Sequence, residues 1–290
     1  GYQALYASGG PLRNTAVGHQ ALYNTTNYGD NNTGVGYQVL KANTSGANNV
    51  AIGAFALDAN TTGDSNTAVG YSAGGALTTA DDCTYVGYGS FSQATTGSDN
   101  VGVGLNSGRD TTTGYRNTFI GESSGASNTT GFRNTCIGNI AGESYGTTAT
   151  NNSIIGYNAQ PPSHTSSNNI VLGNSSIGAL RCQQTSVIGL SDQRDKTNIV
   201  DLTDGLDLIN LIKARKFTWA MRTPSANDGK EEIGFIAQEL DTAFGDKNDY
   251  VGIVDHTNEN KLEAAPAKLI PILVKAIQEL STKVTALEAA

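Results

Sequence analysis

The sequence predicts a mainly β protein in two parts. A parallel β-solenoid or β-roll rod of about 17-residue repeats spans residues 1–190, and a small α+β domain ending in a coiled-coil-like helix spans residues 191–290. Three observations predict this. Glycine recurs in strict register through the first part. Charge and glycine content change abruptly near residue 190. The C-terminal residues place apolar side chains at heptad spacing.

The rod reading rests on the pattern Asn-x-x-[Val/Ile]-Gly. It occurs at Asn14–Gly18, Asn32–Gly36, Asn49–Gly53, Asn66–Gly70, Asn100–Gly104, Asn117–Gly121, Asn134–Gly138 and Asn152–Gly156, with Leu172 before the glycine in a ninth copy, Asn169–Gly173. Cys83 and Thr185 replace the Asn in copies ending at Gly87 and Gly189. With Gly1 these glycines are 17 residues apart, with single-residue exceptions. A disordered chain has no need of such a register.

Within Asn66-Thr67-Ala68-Val69-Gly70, Thr67 and Val69 point one way and Ala68 the other, as a strand requires. A second apolar spot follows each glycine, at Ala4-Leu5, Ala21-Leu22, Val39-Leu40 and Ala56-Leu57, and Thr, Asn, Gly, Asp and Ser supply the turns. Two short strands and two turns cannot bury a core alone, but stacked copies can. The Val/Ile before each glycine (Val17, Val35, Ile52, Val69, Val86, Val103, Ile120, Ile137, Ile155) is expected to fill a continuous interior column. The fixed Asn is expected to form a ladder onto the next coil's backbone. The glycine is expected where a Cβ would clash. At ~4.8 Å per coil, the stack makes a rod on the order of 50 Å. The chain opens inside a repeat, at Gly1-Tyr2-Gln3-Ala4-Leu5, so a longer fibre upstream is expected.

Composition excludes several functions. Residues 1–190 carry 15 charged side chains and 30 glycines, whereas residues 191–290 carry 29 charges and 5 glycines. A net charge of −8 argues against binding nucleic acid, and no apolar run is long enough to insert in a membrane. Three cysteines and three scattered histidines suggest no disulfide framework, no metal site and no cofactor. His19 takes a slot that is tyrosine in other copies (Tyr2, Tyr37, Tyr71, Tyr88, Tyr157) and reads as a surface substitution. The tyrosines read as a structural ladder of exposed rings, with sugar stacking as the alternative. Asp81-Asp82 reads as a solvated pair in a turn.

In the second part, Leu206, Ile209, Leu211 and Ile212 predict a helix, and Lys216–Trp219 a strand. Residues 224–230 read as a turn and Ile233–Leu240 as a strand entering a helix. Tyr250–Val254 reads as another strand, with Lys261–Ala264 as its hairpin partner. A helix runs from about Pro266 to the end. Its seam, Ile270, Leu273, Ile277, Leu280, Val284 and Leu287, has spacings of 3, 4, 3, 4 and 3. Packing on its own domain is the alternative use of such a helix.

The Asn-x-x-Val-Gly repeats resemble the head repeats of trimeric autotransporter adhesins and those of phage tail fibres, with a period a few residues longer than in the adhesin heads. In the second part, Ser191-Asp192-x-Arg194-x-Lys196-x-Asn198-Ile199, then Gly234-Phe235-Ile236-Ala237-Gln238-Glu239, then Leu269 through Leu280 resemble the intramolecular chaperone domain of phage tailspikes and fibres, peptidase family S74. One departure is visible: the family often has an aromatic residue just before the last helix, where this chain reads Ala264-Ala265-Pro266.

The resemblance implies a homotrimeric viral tail fibre, made in the host cytoplasm and carried on the virion. It would meet a host cell-surface receptor, such as a glycan, and other tail or fibre proteins. The C-terminal domain would assemble the trimer and then release itself as a single-turnover self-cleaving endopeptidase, with Ser191 the nucleophile and Lys196 its partner. The cut would fall beside Ser191, at Ser191–Asp192, freeing residues 192–290. Arg194 and Asp192 read as structural ion-pair residues, with an oxyanion-hole role for either as the alternative. A serine hydroxyl needs a base, and lysine serves once burial lowers its pKa. Five residues apart on an α-helix, the two side chains would point roughly 140° apart, so the segment must be a loop or turn. Two other readings stay open: a glycan-degrading tailspike with its catalytic domain upstream, and a bacterial adhesin that keeps the domain as an uncut cap.

Overall fold

The computed structural model describes residues 1–7, 13–26, 29–143, 148–163, 165–177, 180, 191–220, 228–257 and 262–290. The repeat copy ending at Gly189, most of the 224–230 turn and Lys261 lie outside the described residues. The chain divides into two compact units, Gly1–Asn174 and Ser175–Ala290.

The first unit is a parallel β-solenoid of about nine turns. Each coil contributes one three-residue strand: Thr15–Val17, Thr33–Val35, Val50–Ile52, Thr67–Val69, Thr84–Val86, Val101–Val103, Thr118–Ile120, Thr135–Ile137, Ser153–Ile155 and Ile170–Leu172 (β1 to β10). They form a single parallel sheet in sequence order, equivalent residues side by side, as in Ala51 beside Ala68 beside Tyr85. The second apolar spot is no strand. It lies in consecutive turns, with Leu22, Leu40 and Leu57 buried at φ values of 52°, 48° and 48°.

The interior differs from the expectation at one point. The Val/Ile before each glycine faces outward: Val17 is 56 % exposed and Ile52 42 %. The middle residue of each strand points in, with Ala51, Ala68, Tyr85, Phe119, Cys136 and Ile154 fully buried. A three-residue strand sends only its centre to one face. That slot and the Leu slot after the glycine fill the core together.

Polar ladders run along the stack. Each Asn Oδ1 accepts the backbone N–H one coil on: Asn32 from Asn49 (2.9 Å), Asn49 from Asn66 (2.9 Å) and Asn100 from Asn117 (2.9 Å). Each Nδ2 donates to the neighbouring coil's turn carbonyl, Asn66 to Ala80 at 2.8 Å for example. A second ladder, overlooked in the sequence, links Thr44, Thr61, Thr78 and Thr95, each hydroxyl donating to the next threonine's carbonyl at 2.9–3.0 Å, and Thr95 to Thr112 at 3.1 Å. The repeat glycine meets the next one at a backbone approach too close for a side chain. Gly70 has φ +138°, and a Cβ there would overlap the Gly87 carbonyl.

In the second unit a short helix, Leu206–Ile209 (α1), precedes an antiparallel pair, Arg215–Thr218 (β11) and Glu231–Gly234 (β12). Helix Ala237–Phe244 (α2) follows β12 as expected. Residues Asn248–Val251 are helical (α3) rather than extended, closed by Gly252 in the left-handed region (φ 62°). The strand starts later, at Val254–Asp255 (β13), and pairs with Glu263–Ala264 (β14). The Asn248 side chain sets this late start by bonding the backbone N–H and C=O of Val254. The final helix, Leu269–Glu288 (α4), buries Leu269, Ile272 and Ala276 against a core containing Leu208, Leu240, Phe244 and Ile253. The heptad seam lies on another face and is exposed, from 41 % at Leu273 to 77 % at Leu287.

Candidate active site

The site begins with a cap. Asp192 precedes a single 3-10 turn, Gln193–Asp195, and its carboxylate accepts the Arg194 backbone N–H at 2.8 Å. Aspartate favours this position because its side chain satisfies a donor that the first turn leaves free. The Arg194 guanidinium folds back on the same carboxylate, at 3.0 Å from Nε and 2.6 Å from Nη2. This pairing and the backbone bond hold the Asp192 carboxyl below its ordinary range. Both are the structural ion-pair partners that the sequence suggested.

The turn brings together two residues that a helix would separate. The Lys196 backbone N–H donates to Gln193 O at 3.1 Å, closing the turn, and Lys196 itself is extended (φ −129°, ψ 142°). Its side chain returns to the start of the segment. Lys196 Nζ stands 2.6 Å from Ser191 Oγ and 2.9 Å from Ser191 O. This is the spacing required of a nucleophile and its base, and the same nitrogen touches the carbonyl of the Ser191–Asp192 bond.

Residues 191–201 are all exposed, and Ile199 and Val200, just beyond the pair, are 62 % and 84 % exposed. In this single chain the Ser191–Lys196 contact is open to water. A lysine serves as a base where burial disfavours its charged form.

The other sequence candidates make contacts within the solenoid. His19 is exposed and stacks between Tyr2 and Tyr37 at 5.3 and 5.2 Å. Tyr71 and Tyr88 continue the column, stacked at 5.1 Å. Asp81 has a structural task, accepting the Asp64 backbone N–H at 2.7 Å. Among the described residues, no group of three His, Cys, Asp or Glu could hold a metal ion, and no helix is long and apolar enough to cross a membrane.

Two support contacts escaped the sequence reading, because no local spacing links residues 46 or 73 positions apart. Asp204 accepts from the Lys247 ammonium and the Tyr250 hydroxyl, which hold its carboxyl low. Glu279 on α4 accepts the Leu206 N–H at 2.8 Å, capping α1 from across the unit.

Residues 191–248 match the peptidase S74 family, described as the chaperone of endosialidase. No curated protein and no solved structure matches the chain. The matched segment starts at Ser191, contains the whole turn that joins Ser191 to Lys196, and ends at the start of α3. An S74-like chaperone segment and a parallel β-solenoid in one chain fit a tail-fibre or endosialidase-like protein.

Proposed function

We propose that the chain is part of a homotrimeric receptor-binding fibre whose C-terminal domain drives assembly and then cuts itself away beside Ser191. The observation that carries this reading is the 2.6 Å contact between Lys196 Nζ and Ser191 Oγ in a segment that matches the S74 family. Lys196, desolvated on assembly, takes the Ser191 proton. Ser191 Oγ attacks the carbonyl carbon of a neighbouring copy's Ser191–Asp192 bond, that C–N bond breaks, and the Asp192 amine departs with the proton returned from Lys196. Water then hydrolyses the ester to a carboxylate and restores the hydroxyl.

The exposed α4 seam supports assembly of several copies, because six apolar side chains at heptad spacing stand more than a third exposed to water. Mass spectrometry of the purified product tests the cleavage. Wild type should give a fragment of residues 192–290, and Ser191→Ala and Lys196→Ala should each leave the chain whole. A fragment one serine heavier would move the cut to the preceding bond. Normal cutting in Lys196→Ala would remove lysine from the mechanism.

A further inference from the structure

The solenoid leaves a long apolar strip in water. Of the ten Val, Ile and Leu residues that end β1 to β10, eight are more than a third exposed, from 36 % at Val86 to 56 % at Val17. The outer residues that begin the strands are mostly threonine with Val50, Val101 and Ile170 among them. One residue past each repeat glycine stands the aromatic column of Tyr2, His19, Tyr37, Tyr71, Tyr88 and Tyr157. Across these three columns Glu122 is the sole carboxylate, and there is no lysine or arginine. The unit's charges collect in turns instead, as in the pairs Arg13–Asp30 and Arg116–Asp99.

We infer that the outward Val/Ile column, from Val17 to Leu172, is the surface on which copies of this solenoid pack, parallel and level by level. The orientation rests on the trimer reading above, since copies around one rotation axis run parallel. Three arguments select a second copy as the occupant. The first is area. The Val/Ile/Leu column alone exposes on the order of 500 Å², near the upper end of what a lone soluble protein shows in one patch. The tyrosine column roughly doubles this and passes the ~800 Å² per partner of a standard interface.

The second argument is pitch. The strip repeats at the parallel-strand spacing of ~4.8 Å. A helical partner advances ~5.4 Å per turn and would be a full step out of register after about eight coils. A rod with the same coil rise keeps every level matched, and a second copy has that rise by construction. The third is charge. A strip whose sole charge is Glu122 gives an oppositely charged partner little to pair with, whereas identical strips meet like charge at that one level alone.

Cysteine cross-linking in the full chain tests this, in a Cys182→Ser background with Cys83 and Cys136 kept, because both are buried. Ile52→Cys and Ile137→Cys, five coils apart on the strip, are each treated with a short bis-maleimide. Asp99→Cys, in a charged turn, is the control. The expected result is covalent dimer from both strip variants and none from the control. Light scattering on each variant first fixes the number of copies. Cross-linking at one level alone would overturn the parallel register. Cross-linking at residue 99, or at none of the three in a protein that is still oligomeric, would overturn the strip while leaving self-association standing. A monomer with native circular dichroism would overturn both.

Discussion

Asn66 shows how much one side chain does in this rod. It is fully buried; its Oδ1 accepts the Cys83 N–H at 3.0 Å and its Nδ2 donates to Ala80 O at 2.8 Å. Asn66→Ala would leave a donor and an acceptor buried without these bonds, at about 1–3 kcal/mol each. The midpoint of denaturant unfolding should fall accordingly, whereas an alanine at exposed Thr79 should leave it unchanged. Cys136 makes a second prediction. Burial raises its thiol from 9.0 to about 12. In the unfolded chain the thiol ionises near the lower value, so its contribution is complete below pH 9 and is lost as pH rises toward the upper one. Cys136→Ser should flatten the alkaline part of the stability profile. In the native chain Cys136 should resist alkylation until the rod unfolds, which peptide mapping of alkylated protein would read.

Coils fit one another by exchanging volume. Phe91 enters the turn after β5 at φ 48° and stacks on Tyr85 at 4.7 Å. The next coil offers Gly102 and Gly108, and a Cβ on either would overlap the Phe91 ring. Phe91→Ala should therefore cost about 3–5 kcal/mol, because two glycines cannot refill the space. Gly108→Ala should also destabilise, through the same overlap and its φ of +60°. Both are read as shifts of the thermal midpoint. Such exchanges explain what the sequence could and could not convey. The glycine register and Asn spacing announced a stacked coil, since backbone contacts repeat identically in every copy. The interior was misassigned because alternation groups Thr67 with Val69 but does not say which face is inside. The regular Val/Ile column resembled a core, while the true core position varies from Gly34 to Tyr85 because neighbouring coils compensate. In the second unit, Tyr250 and Val251 lost their strand to a side-chain contact between Asn248 and Val254 that propensity does not encode.

In the molecule as a whole, the chemistry stands at the entrance to a unit that leaves much apolar surface uncovered. Ser191 and Lys196 could be named from motif resemblance, but their spacing alone would set them apart. The turn that joins them depends on the Asp192 cap and the Arg194 pair. Among the described residues nothing supplies the desolvation, because Lys196, Ile199 and Val200 all face water. The reaction should therefore wait for assembly. Two substitutions on α4 separate folding from this trigger. Ile272 is buried beside Leu208 and Phe244, so Ile272→Ala should weaken the domain itself by about 2–5 kcal/mol. Leu280 is half exposed on the seam, so Leu280→Asp should leave the isolated fold intact and oppose association. If burial by neighbouring copies makes Lys196 a base, Leu280→Asp should retain native circular dichroism, lose oligomer mass by light scattering and remain uncut. Wild-type cutting should slow on dilution below the dissociation constant, because the active form is multimeric. A Leu280→Asp monomer that cuts at the wild-type rate would show that one chain buries its own lysine, and the coupling between assembly and release would be lost.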